Sequence, residues 1–244
     1  MKGKSIKKYA SLLTVLLVVS LVFAMLNIYD FTARVKNMPL DVCVFDYFTR
    51  ASSSIVTGIN YYIFAVVLIV CAVFMIDEDY HYCILLKRGK RGMFVNQITK
   101  IFLMAGGFSL VFYAAVLIIS WRIADVFYNW NDINGYLFYS HKYIIELNPY
   151  LLLLLIWLQI FSFALRVFLL YMNLKWIFFK KNEAVMVAVA LITLTIEKLC
   201  GKTILYVSSG TIHSGLVYDM VLINGIIIIL EIILLNVLIK KRDI

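Results

Sequence analysis

PYLLLLLIWLQIFSFALRVFLLYM, residues 149–172, carries one charged side chain, Arg166, in 24 positions. About 20 apolar residues, wound at roughly 1.5 Å each, cross the roughly 30 Å hydrocarbon core of a bilayer. The stretch therefore reads as a membrane span. Similar runs occur at 9–28, 60–76, 101–120, 184–199 and 218–239, which predicts six spans in all. The chain is 64% hydrophobic and 15% charged, where a soluble domain would be about a quarter charged. The predicted fold class is an all-α membrane protein. No repeat, low-complexity tract or proline-rich linker divides the chain, so residues 1–244 form one domain.

The second and fifth spans are short. The fifth, AVMVAVALITLTIEKLC, reads as a span or as a tilted, partly re-entrant segment. The start, MKGKSIKKYA, is charged like a signal peptide, but the apolar run after it is too long for a signal core and no A-x-A site follows. It reads as a retained anchor.

Lysine and arginine concentrate on the cytoplasmic side of membrane proteins. With six spans, faces 1–8, 77–100, 173–183 and 240–244 share one side and hold 15 of the 23 basic residues, against 7 opposite. Both termini are then cytoplasmic, and the location is the plasma membrane, multi-pass. The net charge of +9 follows from this asymmetry and fits anionic lipid headgroups, with no call for nucleic acid. Cys43, Cys71, Cys83 and Cys200 form no CxxC pair; only Cys43 and Cys200, both on the outer face, are placed for a bridge.

Reactive chemistry is sparse. His81 falls inside and His141 and His213 outside, so the three histidines cannot share one site, and no metal-ligand spacing occurs. SSGTIHSG (208–215) lacks the GxSxG frame of a serine hydrolase and reads as a polar outer loop. CGKT (200–203) has the tail of a phosphate-binding loop, but Ile196 stands where its first glycine belongs. The acidic DEDYHY (77–82) reads as the start of a short cytoplasmic helix, its carboxylates complementing the helix dipole. No catalytic residue, metal or cofactor is expected in this chain.

Two charged residues fall well inside predicted spans. Arg166 lies about 7 residues before the inner end of the fourth span and Glu231 about 8 before that of the sixth, so both sit roughly 11–12 Å deep. Charges at such depth face protein or a cavity. The expectation is an intramembrane pair, Arg166 with Glu231, which fixes helix packing or lines a transport route. On the outer side, residues 122–147 carry Phe127, Tyr128, Trp130, Tyr136, Phe138, Tyr139 and Tyr143. Amphipathic rings collect at membrane interfaces, so these are expected to anchor the segment there or to contact an amphipathic cargo.

Between the second and third spans, EDYHYCILL reads as a short apolar cytoplasmic helix, and KRGKRG (87–92) breaks it with Gly89 and Gly92 before MFVNQITKIF enters the third span. This run resembles bacterial type-2 ABC exporter permeases, especially the small Gram-positive ones. Their equivalent stretch reads roughly leucine-isoleucine-arginine, a small residue, serine-arginine, then aromatics and a lysine. Six spans, cytoplasmic termini and the ending IKKRDI also resemble that group; Met93 and Phe94 stand where such permeases often have tryptophan. The resemblance implies a coupling contact with a separate ATPase through Glu78, Tyr80, His81, Ile84, Leu85, Leu86, Lys87, Arg88, Gly89, Lys90 and Arg91. Lipid phosphates would suit the same four basic side chains.

The resemblance further implies a permease working with a second copy or a related permease and with two ATPase chains that hold ATP and magnesium. Its cargo would be hydrophobic or amphipathic: an antimicrobial peptide, lipid or drug. Two other classes fit the residues. One is a non-transporting membrane scaffold or immunity protein; the other is an intramembrane enzyme, for which no reactive constellation at one depth is found.

Overall fold

A computed structural model describes residues 2–53, 58–76, 82–178, 183–200 and 207–241. Among the described residues the regular structure is helical: α1 (Lys2–Val35), α2 (Val44–Ser53), α3 (Gly58–Ile76), α4 (Tyr82–Ile123), α5 (Tyr136–His141), α6 (Pro149–Ile177), α7 (Glu183–Cys200), α8 (Ser209–His213) and α9 (Leu216–Lys241). Among the described residues, four segments are long and apolar enough to cross a membrane: Leu17–Val35, Gly89–Ile123, Pro149–Ile177 and Leu216–Lys241. The chain is thus multi-pass by length and composition. The second and fifth predicted spans fall on α3 and α7, the shorter long helices. In α7, Glu183, Glu197 and Lys198 crowd three charges into 18 residues, which removes it from the set that composition alone qualifies.

The central post is α6, which packs against α3, α4, α7 and α9. Two thirds of its apolar window is buried, 67% against 17% for α9. Its start is set locally. Asn148 caps it, with Oδ1 accepting from the Tyr150 amide at 2.9 Å, and Pro149 follows where a missing N–H does no harm. Buried side chains from Leu152 to Trp176 then fill the interior, with Arg166 and Lys175 the charges among them. Along the middle of α1 (15–26) and of α9 (222–237) the exposed side chains are apolar, including Val18, Val22, Ile226 and Ile233, as lipid-facing segments should be.

The bundle has two distinct ends. At one, the Trp176 indole donates to Gln97 Oε1 at 3.1 Å, Lys90 Nζ donates to the Lys240 carbonyl at 2.9 Å, and Lys175 meets Glu183 at 3.2 Å. We call this the basic end. At the other, α2, α5 and α8 cap the helices. The Val44 amide donates to the Val126 carbonyl at 3.0 Å and the Tyr136 amide to the Asp41 carbonyl at 3.2 Å, binding the α1–α2 link to the α4–α5 link. Within the α4–α5 link, Gly135 lets the chain close on Asn129: a Cβ there would stand 2.7 Å from the Asn129 carbonyl oxygen.

The third span begins earlier than predicted. MFVNQITK, placed before it in the sequence reading, is already helical, and Met93 and Gln97 are buried. The break falls at Gly89 alone, with φ 66° and ψ 167°; Gly92 stays helical. Only glycine enters that backbone region freely. Gly89→Ala is therefore expected to destabilise the bent state by about 1–3 kcal/mol. Since a Cβ at 89 meets nothing within 4 Å, the penalty comes from the backbone and not from packing. Proteolysis near residues 82–92, compared between the native chain and the variant, would register the change. An unaltered cleavage pattern would count against the bend.

Candidate functional site

The charged centre lies on α6 between α7 and α9. Arg166 is 5% exposed, and its Nη2 is 2.6 Å from Glu197 Oε1 on α7. From α9, Asn224 offers Oδ1 to Arg166 Nη1 at 3.4 Å; the Asn224 amide is aimed by its own Nδ2, which donates to the Met220 carbonyl at 2.8 Å. Glu231 lies within electrostatic range of both Arg166 and Glu197. Its backbone carbonyl accepts from Asn173 Nδ2 at 3.2 Å, so the α9 backbone at 231 is level with a residue two turns beyond Arg166 on α6.

The predicted pairing of Arg166 with Glu231 thus needs correction in its first partner: the direct ion pair is with Glu197. Equal depth counted from helix ends pointed to Glu231 and passed over Glu197, which stands inside the fifth predicted span. What counting could not show is that the last turns of α7 lie level with the middle of α6, where the Glu197 carboxylate meets Arg166. The Glu197-Lys198 pair inside an otherwise apolar segment was the available signal.

The loops at the end opposite the basic end line a cavity of about 290 Å³ with Phe31, Asp46, Arg50, Trp130, Tyr143 and Ser208, among others. Asp46 is 5% exposed. Its Oδ1 accepts from the Trp130 indole at 2.8 Å and its Oδ2 from the Cys43 amide at 2.9 Å. Burial raises the Asp46 pKa above the ordinary carboxylate value, against these donors and the nearby His141, which favour the anion. Burial, reinforced by the neighbouring Asp46 charge, also raises the Cys43 thiol pKa strongly, so this free cysteine is an inert thiol.

His141 and His213, two of the three histidines, meet here. Tyr143 stacks on His213 with centroids 4.1 Å apart and on His141 at 5.6 Å, and its hydroxyl donates to Ser209 Oγ at 3.2 Å. This joins α8 to the segment after α5. SSGTIHSG proves to hold a short helix with a capping box, Ser208 and Thr211 bonding each other's amides, in place of an open loop. No group of three His, Cys, Asp or Glu able to hold a metal occurs among the described residues.

The seven outer aromatics divide. Trp130 is 1% exposed and belongs to the core, Tyr136 packs on Phe31 at 5.0 Å, and Tyr128 donates to the Ile145 carbonyl at 3.0 Å. Phe138 is half-buried, with Lys142 Nζ 6.0 Å from its ring centre, and Tyr143 takes part in the stack above. Only Phe127 and Tyr139 are exposed enough to meet an interface. The segment is therefore held mainly by inward packing, and interfacial anchoring describes two of its rings.

At the basic end, Glu78, Tyr80 and His81 lie outside the described residues. Ile84, Leu85, Leu86, Lys87 and Arg88 are on the helical arm 82–88 that precedes the Gly89 bend. Gly89 and Arg91 are exposed, and Lys90 is tied to the end of α9. Lys90, at the last turn of α9, and the charged centre, at Asn224, are thus at different levels of the same bundle. Compared with protein-family models, with curated proteins and with solved structures, the chain matches none.

Proposed function

We propose that this chain is the permease subunit of an ATP-driven ABC exporter. It would have six spans, with α3 and α7 completing the four apolar ones, both termini in the cytoplasm, and no ATPase of its own. The observation that carries this reading is the bent α4. Its arm 82–88 is set off from a 35-residue span by one glycine-only joint, and the residue after the joint is bonded to the last turn of α9. A soluble partner pushing on such an arm moves α4 and α9 together. That is what coupling of nucleotide-driven motion to a membrane route requires.

The cargo would be hydrophobic or amphipathic, passing between two permease copies, or this chain and a related permease. The broad apolar faces of α1 and α9 suit contact with lipid or with such a second permease.

The test is gentle-detergent purification of the tagged chain from its own membrane, beside a variant combining L85A, L86A, R88E and R91E. An ATPase subunit is expected with the native chain, and to be reduced at least about tenfold with a variant that remains monodisperse. An ATPase retained by the variant would move the coupling contact elsewhere. No ATPase in several mild detergents would leave the arm as a lipid-facing element and favour the scaffold reading.

A further inference from the structure

α7 is fastened to its neighbours by a narrow apolar seam and by charged side chains near its ends. It packs chiefly on α6 and α3. The apolar side chains it buries are Met186, Ala190 and Leu194, four residues apart and so on one stripe of the helix. Around that stripe Val185, Ile192, Ile196 and Leu199 are exposed. In a bilayer such a seam holds weakly, because lipid tails are as apolar as the side chains they replace. Polar contacts therefore weigh heavily in whether α7 stays in place.

The two ends differ in kind. At the start of α7, Glu183 meets Lys175 of α6 at 3.2 Å, and the two are near in sequence, so the pair tightens a junction the chain already makes. Near the other end, adjacent residues reach two different helices. Glu197 meets Arg166 on α6 at 2.6 Å, and Lys198 Nζ lies 4.9 Å from the centre of the Tyr62 ring on α3. We propose that α7 is a lateral gate, pivoting at its start and latched at its far end by Glu197 on Arg166 and Lys198 on Tyr62. Released, the last turns of α7 move off α6 and leave an opening from the lipid to the level of Arg166. Arg166 meets Asn224 of α9 independently of α7, so its guanidinium keeps a polar contact when the latch opens. A molecule dissolved in the membrane would enter sideways there. That such a molecule is exported rests on the reading above; the motion of α7 does not.

The test is pulsed electron spin resonance on pairs of spin-labelled cysteines in the full-length chain, reconstituted in phosphatidylcholine vesicles. The four native cysteines are replaced by alanine. All labels sit at exposed positions, so the packing is left intact. Ile118→Cys on α4 is paired in turn with Leu199→Cys near the latch, Val185→Cys near the pivot and Ile226→Cys on α9. Glu197→Gln is expected to add a second population to the 118–199 distance, displaced by about 5 Å, the height of one helical turn. The 118–185 and 118–226 distances should stay unchanged.

An unaltered 118–199 distance would overturn the latch. An equal change at 185 would mean that α7 leaves as a whole, and a change at 226 that the bundle loosens generally; either outcome removes the pivot. If Glu197→Gln does not reconstitute, Lys198→Gln, which frees only the α3 contact, replaces it and should show the same end-selective shift. The distances need no ATPase, so a failed co-purification and a failed gate are separate results.

Discussion

Arg166→Met is expected to lower the stability of the bundle by about 3–5 kcal/mol, because it leaves the Glu197 carboxylate facing α6 without its ion partner. In a chain of this size that corresponds to a fall on the order of 10 °C in the melting temperature measured in detergent. The loss should come from the orphaned charge more than from the missing attraction. Desolvating two ions offsets much of what their pairing returns, so Arg166→Met combined with Glu197→Met should recover most of the lost stability. Glu231→Gln in the Arg166→Met background should recover less, since Glu231 is not the direct partner. If Arg166→Met melts like the native chain, the pair does not hold α7 to α6. If Glu231→Gln rescues better than Glu197→Met, the assignment of partners is reversed.

Asp46→Ala should destabilise the end opposite the basic end by about 3 kcal/mol, because it strands two buried donors, the Trp130 indole and the Cys43 amide. Asp46→Asn keeps one acceptor and should lose less than half as much. The pH response has a definite sign. Burial raises the Asp46 pKa above its unfolded value of about 3.9. The folded state therefore binds this proton more tightly than the unfolded chain does. The associated stability is fully present below about pH 3.9, declines as pH rises through the raised value, and is level beyond it. Melting followed across that window should show the decline in the native chain and a flatter curve in Asp46→Asn. A native curve that instead climbs through the window would mean that the two donors outweigh burial.

Local chemistry made part of this structure readable in advance. The long apolar runs announced their helices, and the glycines in KRGKRG announced a bend, although only the dihedrals of Gly89 show which one makes it. Arg166 declared itself by standing alone in an apolar run. Its partner did not, because pairing depends on how deeply α7 sits, and that is a property of packing. Trp130 illustrates the same limit. Its ring has the chemistry of an interfacial anchor, yet it is buried by an acceptor 84 positions earlier in the chain. Nothing in the spacing of the loop could report that contact. Likewise the shared stack of His141 and His213 on Tyr143 arises only when α8 folds against the segment after α5.

Gln159, Arg166 and Asn173 stand seven residues apart on α6 and meet Val207, Glu197 and the Glu231 carbonyl in turn, and that spacing restricts how the gene can change. One residue inserted between Gln159 and Arg166 would rotate everything after it by about 100° and turn Arg166 away from Glu197 into the packed apolar side. Point substitutions leave that alignment untouched, whereas length changes within 159–173 destroy it. Descendants of this sequence should therefore vary freely in the lipid-facing letters of α1 and α9 and tolerate insertions around residues 131–134, which are exposed. They should hold the letter count of α6 fixed even where its letters drift.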